Sequence, residues 1–173
     1  MNLTSGVLLC PCNRFHPPPP FYKIKFNDAT GAYDIEFSPL AAHMEYENLT
    51  VDLIRTKTKT TIPVLCLRYP GAKLTLIYSH GNATDCGAMF IMYAMLALTL
   101  KINVVGYDYT GYGSSVDSGV RPTEKQTYKG TNIRTACLSV DCSCHWNSLL
   151  SYVLHIWAWI SHICGILHAW VSS

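Results

Sequence analysis

Apolar and polar residues alternate in two segments of the first half of the chain. Residues 45–55 and 62–69 show this two-residue period, and the polar residues 57–60 separate them. Alternation of this kind is typical of strands with one buried face. The two segments therefore predict an antiparallel hairpin. Because proline has no N–H for a ladder, Pro63 places the start of the second strand at the periphery of the sheet.

A strand, a helix and a second strand are predicted next. Residues 74–79 form a short apolar run that predicts a buried strand, and residues 102–107 predict another. Between them, residues 87–100 are almost wholly apolar and show no polar face. At about 1.5 Å per residue this helix is too short for a bilayer core of roughly 30 Å, so we expect a buried crossover helix. This order of elements predicts a parallel pair with a right-handed crossover, and hence an α/β fold.

The second half of the chain lacks the alternation of apolar and polar residues seen in the first half. Thr123 and Gln126 have the spacing of a capping box, which predicts that a helix begins near Glu124. Residues 129–148 show no clear period and predict an irregular segment. Residues 149–170 contain 22 residues without Lys, Arg, Asp or Glu, which predicts an apolar helix long enough to cross a bilayer. Its histidines and serines weaken that interpretation, so membrane association and soluble packing both stay open.

The chain begins with a segment that predicts a tail. Residues 17–20 are four consecutive prolines, which favour extended polyproline geometry. Cys10 and Cys12 are candidates for S-acylation, with an unmodified tail as the alternative, whereas Asn2 excludes N-myristoylation. The predicted organisation is a tail at 1–20, a folded unit at 21–128, a divergent segment at 129–148 and an apolar helix at 149–170.

Composition narrows the class of protein. The formal net charge of the 173 residues is only +2, which argues against a nucleic-acid partner. The 8 cysteines lack a preceding secretory signal, which favours reduced thiols inside the cell. The group Cys142-Ser-Cys-His145 lacks the spacing of a zinc hook, and Gly111 and Gly113 lack the context of a dinucleotide loop. We therefore predict no metal and no cofactor.

Three motifs carry a resemblance to a known family. They are Tyr78-Ser-His-Gly-Asn-Ala83 with Asp85, then Gly106-Tyr-Asp-Tyr-Thr-Gly-Tyr-Gly-Ser114, then Arg121-Pro122 with residues 124–128. Over roughly residues 17–128, the N-terminal half of a hydrolase domain, the chain resembles the α/β-hydrolase-domain family of membrane-associated protein depalmitoylases, which are serine aminopeptidase-like.

The resemblance has several implications for activity and location. It implies acyl-thioester hydrolysis by a Ser-Asp-His triad whose serine lies on a strand-to-helix elbow. It also implies palmitoylated membrane proteins as partners, and a cytoplasmic, membrane-associated location. The contact with the membrane would come from the N-terminal cysteines and residues 149–170.

The resemblance also assigns roles near the first two motifs. Asn82 is the candidate oxyanion-hole donor, since one donor comes from the loop after this strand; an ordinary turn residue is the alternative. Gly81 allows the sharp turn, and His80 holds the loop in preference to acting as the base. Asp108, Gly111 and Gly113 are expected to support a loop beside the site. Ser114 and Ser115 are not flanked as nucleophiles and are expected to be loop hydroxyls.

The sequence does not contain the motif that carries the nucleophilic serine of this family. No Gly-x-Ser-x-Gly follows the first two motifs, and after Tyr128 nothing resembles the acid or histidine of a triad. We therefore expect an incomplete α/β-hydrolase sheet without catalysis, in which the strand at 74–79 has an unpaired edge unless the Trp-rich tail covers it. A splice product, a frameshift and a gene-model error are equally consistent with the divergence. The alternative function is a noncatalytic, membrane-tethered interaction protein.

Overall fold

Seven strands and one α-helix make up the described part of the chain. The computed structural model describes residues 15, 17–41, 44–56, 59–119, 122–123 and 149–152. The elements are β1 (Tyr22–Asn27), β2 (Ala32–Phe37), β3 (Leu49–Arg55), β4 (Thr61–Leu67), β5 (Thr75–Ser79), α1 (Cys86–Leu100), β6 (Asn103–Tyr107), a 3-10 turn (Gly113–Ser118) and β7 (Leu149–Tyr152). Strands β1 and β2 pair as a hairpin, and the other five form a sheet in the order β3-β4-β6-β5-β7.

The predicted hairpin and the predicted strand-helix-strand unit are both confirmed. Strands β3 and β4 are antiparallel, and β5 and β6 are parallel with α1 between them in the chain. These two units join where β4 pairs with β6. That mixed sheet confirms the predicted α/β class.

Pro63 lies near the start of β4, which is an inner strand of the sheet. Strand β4 has neighbours on both sides, and Pro63 pairs with Leu53 of β3. The β6 ladder begins one residue later, at Val64 opposite Tyr107, and the Pro63 carbonyl accepts from the Asp108 N–H at 3.2 Å. The missing N–H therefore falls just beyond the paired stretch, where proline is tolerated in an inner strand.

Helix α1 begins at a well-defined cap. The Asp85 side chain accepts from the Ala88 N–H at 2.8 Å and also from the Phe21 N–H at 2.7 Å, so the cap ties the helix to the segment before β1. The helix ends at Lys101, which adopts a left-handed conformation with φ of 55°.

The expectation that α1 is buried on all sides is wrong. One face of the helix packs on the sheet through Phe90, Tyr93 and Ala97. The opposite face leaves Met92 and Met95 exposed, at 44% and 60% of their surface. The apolar sequence of α1 therefore includes side chains that are exposed to solvent on its outer face. No helix in that part of the chain is both long and apolar enough to cross a membrane.

Strand β7 pairs with the side of β5 that the sequence analysis expected to be unpaired. It runs parallel to β5, with Thr75 opposite Leu149 and Tyr78 opposite Tyr152. The edge of β5 is thus paired, and a helix is the wrong prediction for residues 149–152. The remaining positions 153–170, the tail cysteines Cys10 and Cys12, and the predicted helix near Glu124 lie outside the described residues.

Alternating side chains of the sheet fill two apolar clusters. The cluster against α1 contains Leu65, Leu67, Leu76, Val104 and Phe90. The cluster on the other face contains Val64, Cys66, Ile77, Val105 and Tyr107. Because β4, β5 and β6 supply both clusters, the loops at the carboxyl ends of β5 and β6 rest on a well-packed base.

Candidate functional site

The loop after β5 and the loop after β6 meet at one edge of the sheet. Strands β5 and β6 are parallel, so their carboxyl ends at Ser79 and Tyr107 lie side by side. His80, buried, and Asn82, exposed, follow the first strand, and Asp108, buried, follows the second. The sheet topology therefore brings together the two motifs that carry the family resemblance.

Asp108 connects three segments that are distant in sequence. The Asp108 Oδ1 atom accepts a hydrogen bond of 2.9 Å from the Cys86 N–H at the start of α1. The same oxygen lies 2.9 Å from His80 Nε2. The Asp108 Oδ2 atom accepts from the Tyr22 hydroxyl of β1 in a short hydrogen bond. A fully buried carboxylate needs such partners, because its desolvation is costly. Asp108 is thus placed where the loop, the helix and the first hairpin meet.

Gly113 permits this arrangement for a steric reason. It has φ of +50°, and a Cβ atom there would collide with the Asp108 carboxylate. Only glycine adopts this conformation at little cost and also leaves room for the carboxylate. Gly111, at φ of +86°, donates its N–H to Ser115 Oγ at 3.0 Å within the same turn.

His80 is held on both sides of its ring. Nδ1 lies 2.8 Å from the Gly81 carbonyl oxygen, and Nε2 faces Asp108 off the direction of an aligned hydrogen bond, so that contact is an ion pair. The Tyr109 hydroxyl donates to the His80 carbonyl at 2.8 Å. Burial lowers the pKa of His80, but the Asp108 carboxylate and the Gly81 carbonyl outweigh burial, and the net pKa is raised.

This environment makes His80 unsuited to act as a general base. Its side chain is inaccessible to solvent, and its charged form is the one that Asp108 favours. In the part of the chain that the structure describes, no serine hydroxyl hydrogen-bonds to the ring. The position of His80 fits the loop-holding role that the sequence predicts.

Asn82 is fixed by a tyrosine from the neighbouring loop. The Tyr112 hydroxyl donates to Asn82 Oδ1 in a short hydrogen bond, and Tyr112 is itself fully buried. The Asn82 backbone is therefore held at the exposed tip of the loop, next to the start of α1. Its function as an oxyanion donor stays a prediction.

The serines of these motifs are held by structural contacts. Ser79 Oγ lies 2.6 Å from the Tyr107 hydroxyl, and both groups are buried. Ser115 Oγ accepts from the Gly111 and Tyr112 N–H groups and lies 2.6 Å from the Tyr112 carbonyl. Neither hydroxyl is directed at a base, as a nucleophile would be.

One group of side chains has the atom types of a metal site. Ligand atoms of His80, Cys86 and Asp108 lie within 4.8 Å of one another, and all three residues are buried. Burial raises the pKa of the Cys86 thiol well above its usual value, and Asp108 adds to this rise, which opposes the thiolate that a metal needs. Both Asp108 oxygens already accept hydrogen bonds. The donor chemistry therefore fits a hydrogen-bonded cluster better than a metal centre.

Two tyrosines hold the candidate site although the sequence analysis assigned no role to either of them. Tyr22 reaches Asp108 across 86 positions, and Tyr112 reaches Asn82 across 30. Tyr112 lies inside the Gly-Tyr-Gly motif, so its position offers some signal, whereas nothing local distinguishes Tyr22 from any other strand tyrosine.

Comparison with known proteins agrees with this geometry. No protein-family model matches the chain. The chain is 34% identical over 144 residues to human alpha/beta hydrolase domain-containing protein 17B, which corresponds to 73% of this chain and 49% of that protein. It is 35% identical over 118 residues to alpha/beta hydrolase domain-containing protein aho-3 of Caenorhabditis elegans, covering 66% of this chain and 34% of that protein. The chain thus spans about half the length of the human relative.

One solved structure shows a partial likeness. A mutant of LAE6, an alpha/beta hydrolase enzyme from the metagenome of Lake Arreo, Spain, superposes with a TM-score of 0.48 and 18% identity, over 65% of this chain and 37% of that chain. In sequence, the chain is a homologue of the alpha/beta hydrolase domain-containing proteins over the N-terminal part of their length.

Proposed function

We propose that these 173 residues carry the oxyanion loop of an acyl-thioester hydrolase of the depalmitoylase type but do not hydrolyse thioesters. The observation that supports this most directly is the burial of His80 against Asp108. Because that histidine is committed to the loop, the only histidine within the two motifs has no role as a base. A hydrolase that lacks both its nucleophile and its base loses on the order of a million-fold in turnover.

The substrate class follows from the family resemblance. Palmitoylated membrane proteins are the proposed partners, and the cytoplasmic face of a membrane is the proposed location. Acylation of Cys10 and Cys12 would supply two lipid chains, which anchor a protein stably where one chain is marginal. In this proposal the chain acts as a noncatalytic, membrane-associated homologue of the hydrolases.

A thioester assay on the purified chain tests the proposal. We expect hydrolysis of a palmitoyl-thioester substrate no faster than in buffer alone. Two variants identify the source of any activity: Asn82→Pro removes the backbone N–H that would serve the oxyanion, and Asn82→Ala keeps it. Turnover that Asn82→Pro abolishes and Asn82→Ala retains would show a working active site, and would overturn the proposal.

A further inference from the structure

A groove lies between strand β2 and the segment that leads into β3. It has a volume of about 860 Å³ and is lined by residues 35–37, residues 44–47, Leu49 and Phe90 of α1. Pockets that hold a whole ligand reach this size. The residues of the candidate site do not line this groove, so it is a separate surface of the molecule.

The floor of the groove is apolar and rests on the core. Ile35, Phe37 and Leu49 pack against the buried cluster that faces α1. The centre of the Phe37 ring lies 4.7 Å from the centre of the Phe90 ring, and Phe90 is buried. A floor that is backed by close-packed side chains keeps its shape, so it offers a preformed surface to an apolar side chain.

The wall formed by residues 44–47 is tied to the sheet. The Tyr46 hydroxyl donates to the Arg68 carbonyl at 3.0 Å, and the Tyr46 carbonyl accepts from the Leu49 N–H at 3.2 Å. Met44 lines the same wall and is exposed over 37% of its surface. Methionine adapts its shape to different apolar partners, which suits it to the mouth of a binding groove.

The charged side chains that line the groove are all acidic. They are Glu36, Glu45 and Glu47, each exposed, and no Lys, Arg or His is among the lining residues. Glu36 pairs with Lys25, whereas Glu45 and Glu47 form no ion pair with any other residue in the described part of the chain. Two carboxylates without a counter-charge, beside an apolar floor, favour a ligand that is both cationic and apolar.

We propose that this groove binds a basic segment of a partner protein. An apolar side chain of that segment packs on Ile35 and Phe37, and Lys or Arg residues beside it pair with Glu45 and Glu47. The acidic rim repels the anionic surface of a membrane and the phosphates of nucleic acid. A polypeptide is the ligand that carries apolar and cationic groups close together on one chain.

Photo-crosslinking of the full chain with a synthetic peptide tests the proposal. The probe is the acetylated peptide Lys-Lys-Bpa-Lys-Lys, in which Bpa is p-benzoylphenylalanine and supplies both the apolar ring and the photoreactive group. The control peptide has Glu in place of each Lys. After irradiation, mass spectrometry identifies the position in the protein that is joined to each peptide.

The expected result is a link from the basic peptide to residues 35–49 or to Phe90, and a yield that falls as the NaCl concentration is raised. The acidic peptide should give a yield at these positions that is lower by about fivefold or more.

Two substitutions on the rim and one elsewhere show whether the glutamates are responsible. Glu45→Lys and Glu47→Lys should each lower the yield of the basic peptide by about fivefold. Asp28→Lys makes the same change of charge at an exposed turn residue outside the groove, and should lower the yield by less than about twofold. Circular dichroism of each variant checks that the fold is unchanged.

Three results would overturn the proposal. They are equal labelling by the two peptides, labelling spread over surfaces outside the groove, and a loss in Asp28→Lys as large as in the rim variants. Sedimentation of the chain alone adds a fourth: a dimer that dissociates in Glu45→Lys would assign the groove to a second copy instead of a basic partner.

Discussion

Asp108 is the residue on which the geometry of the candidate site depends most. Its carboxylate holds the Tyr22 hydroxyl, the start of α1 at Cys86 and the His80 ring, and it has no exposure to solvent. A buried ion pair of this kind adds little stability compared with an apolar pair of the same shape. Removing one partner is nevertheless expensive, because the other stays buried without compensation.

Asp108→Ala should therefore lower the free energy of unfolding by about 3–5 kcal/mol. Asp28→Ala, which changes an exposed turn residue, is the matched control and should alter it by less than about 0.5 kcal/mol. Urea denaturation followed by circular dichroism measures both. If Asp108→Ala lowered the free energy of unfolding as little as the control does, the contacts of Asp108 would not contribute to the stability of the fold.

The ion pair between His80 and Asp108 should make stability depend on pH. Because the folded pKa of His80 is raised, its contribution is complete below the unfolded pKa of about 6.5 and is lost as pH rises through the folded value. The unfolding free energy of the wild type should thus fall relative to that of His80→Gln as the pH rises above about 6.5. Urea titrations at several pH values measure this difference. A gap that widened with rising pH would contradict the assigned charge state.

The Asp85 side chain connects helix α1 to the residue just before the hairpin of β1 and β2. Asp85 caps the helix at Ala88 and also accepts from the Phe21 N–H just before β1. The hairpin pairs with no strand of the larger sheet, so this bond and the Tyr22 hydroxyl are two of its polar links to the rest of the fold.

Two substitutions at Asp85 distinguish the helix cap at Ala88 from the hydrogen bond to Phe21. Asp85→Ala removes the cap and the link to Phe21, and should cost about 2 kcal/mol. Asp85→Asn keeps one oxygen for the cap, and should cost about 1 kcal/mol. Hydrogen exchange of the amides of α1 should rise more in the alanine variant. Equal losses of stability in the two variants would show that the cap contributes nothing.

The elements that the sequence predicted correctly are those with a clear local period. Strands β3 and β4 alternate, and β5, α1 and β6 are separated by short turns, so their pairing followed from simple topology. Strands β1 and β2 were missed although Tyr22–Asn27 and Ala32–Phe37 both include alternating residues. The exposed side chains on the outer face of α1 were not predicted, because the composition of the helix is apolar all round and only packing shows which side is covered.

The candidate site was predictable in its motifs and not in its contacts. His80, Asn82 and Asp108 stand in recognisable motifs, but Tyr22, which donates to Asp108, comes from outside those motifs. Tyr22 is 86 positions from Asp108, and a hydrogen bond at that separation leaves no local sequence pattern. The placement of Leu149–Tyr152 beside β5 was unpredictable for a related reason, since an uncharged segment is consistent with both a strand and a helix.

At the scale of the molecule, the described sheet joins the strands that carry the two motifs to strand β7, which comes from residues 149–152. Strands β5 and β6 carry the two loops at their carboxyl edge, and β7 pairs with the side of β5 that faces away from β6. Strand β7 is itself the edge of the described sheet, and so short an edge strand is less prone to pair with other chains. In the proposed function, the frame of a hydrolase site is retained without the groups that carry out the chemistry.

The most direct test of that statement is reaction of the folded chain with a fluorophosphonate probe, followed by mass spectrometry of the peptides. The probe modifies a serine only where a neighbouring base activates the hydroxyl. We predict no labelled serine, with a complete serine hydrolase labelled in parallel as the positive control. Stoichiometric labelling of any serine in the folded chain, lost after denaturation in urea, would contradict the account.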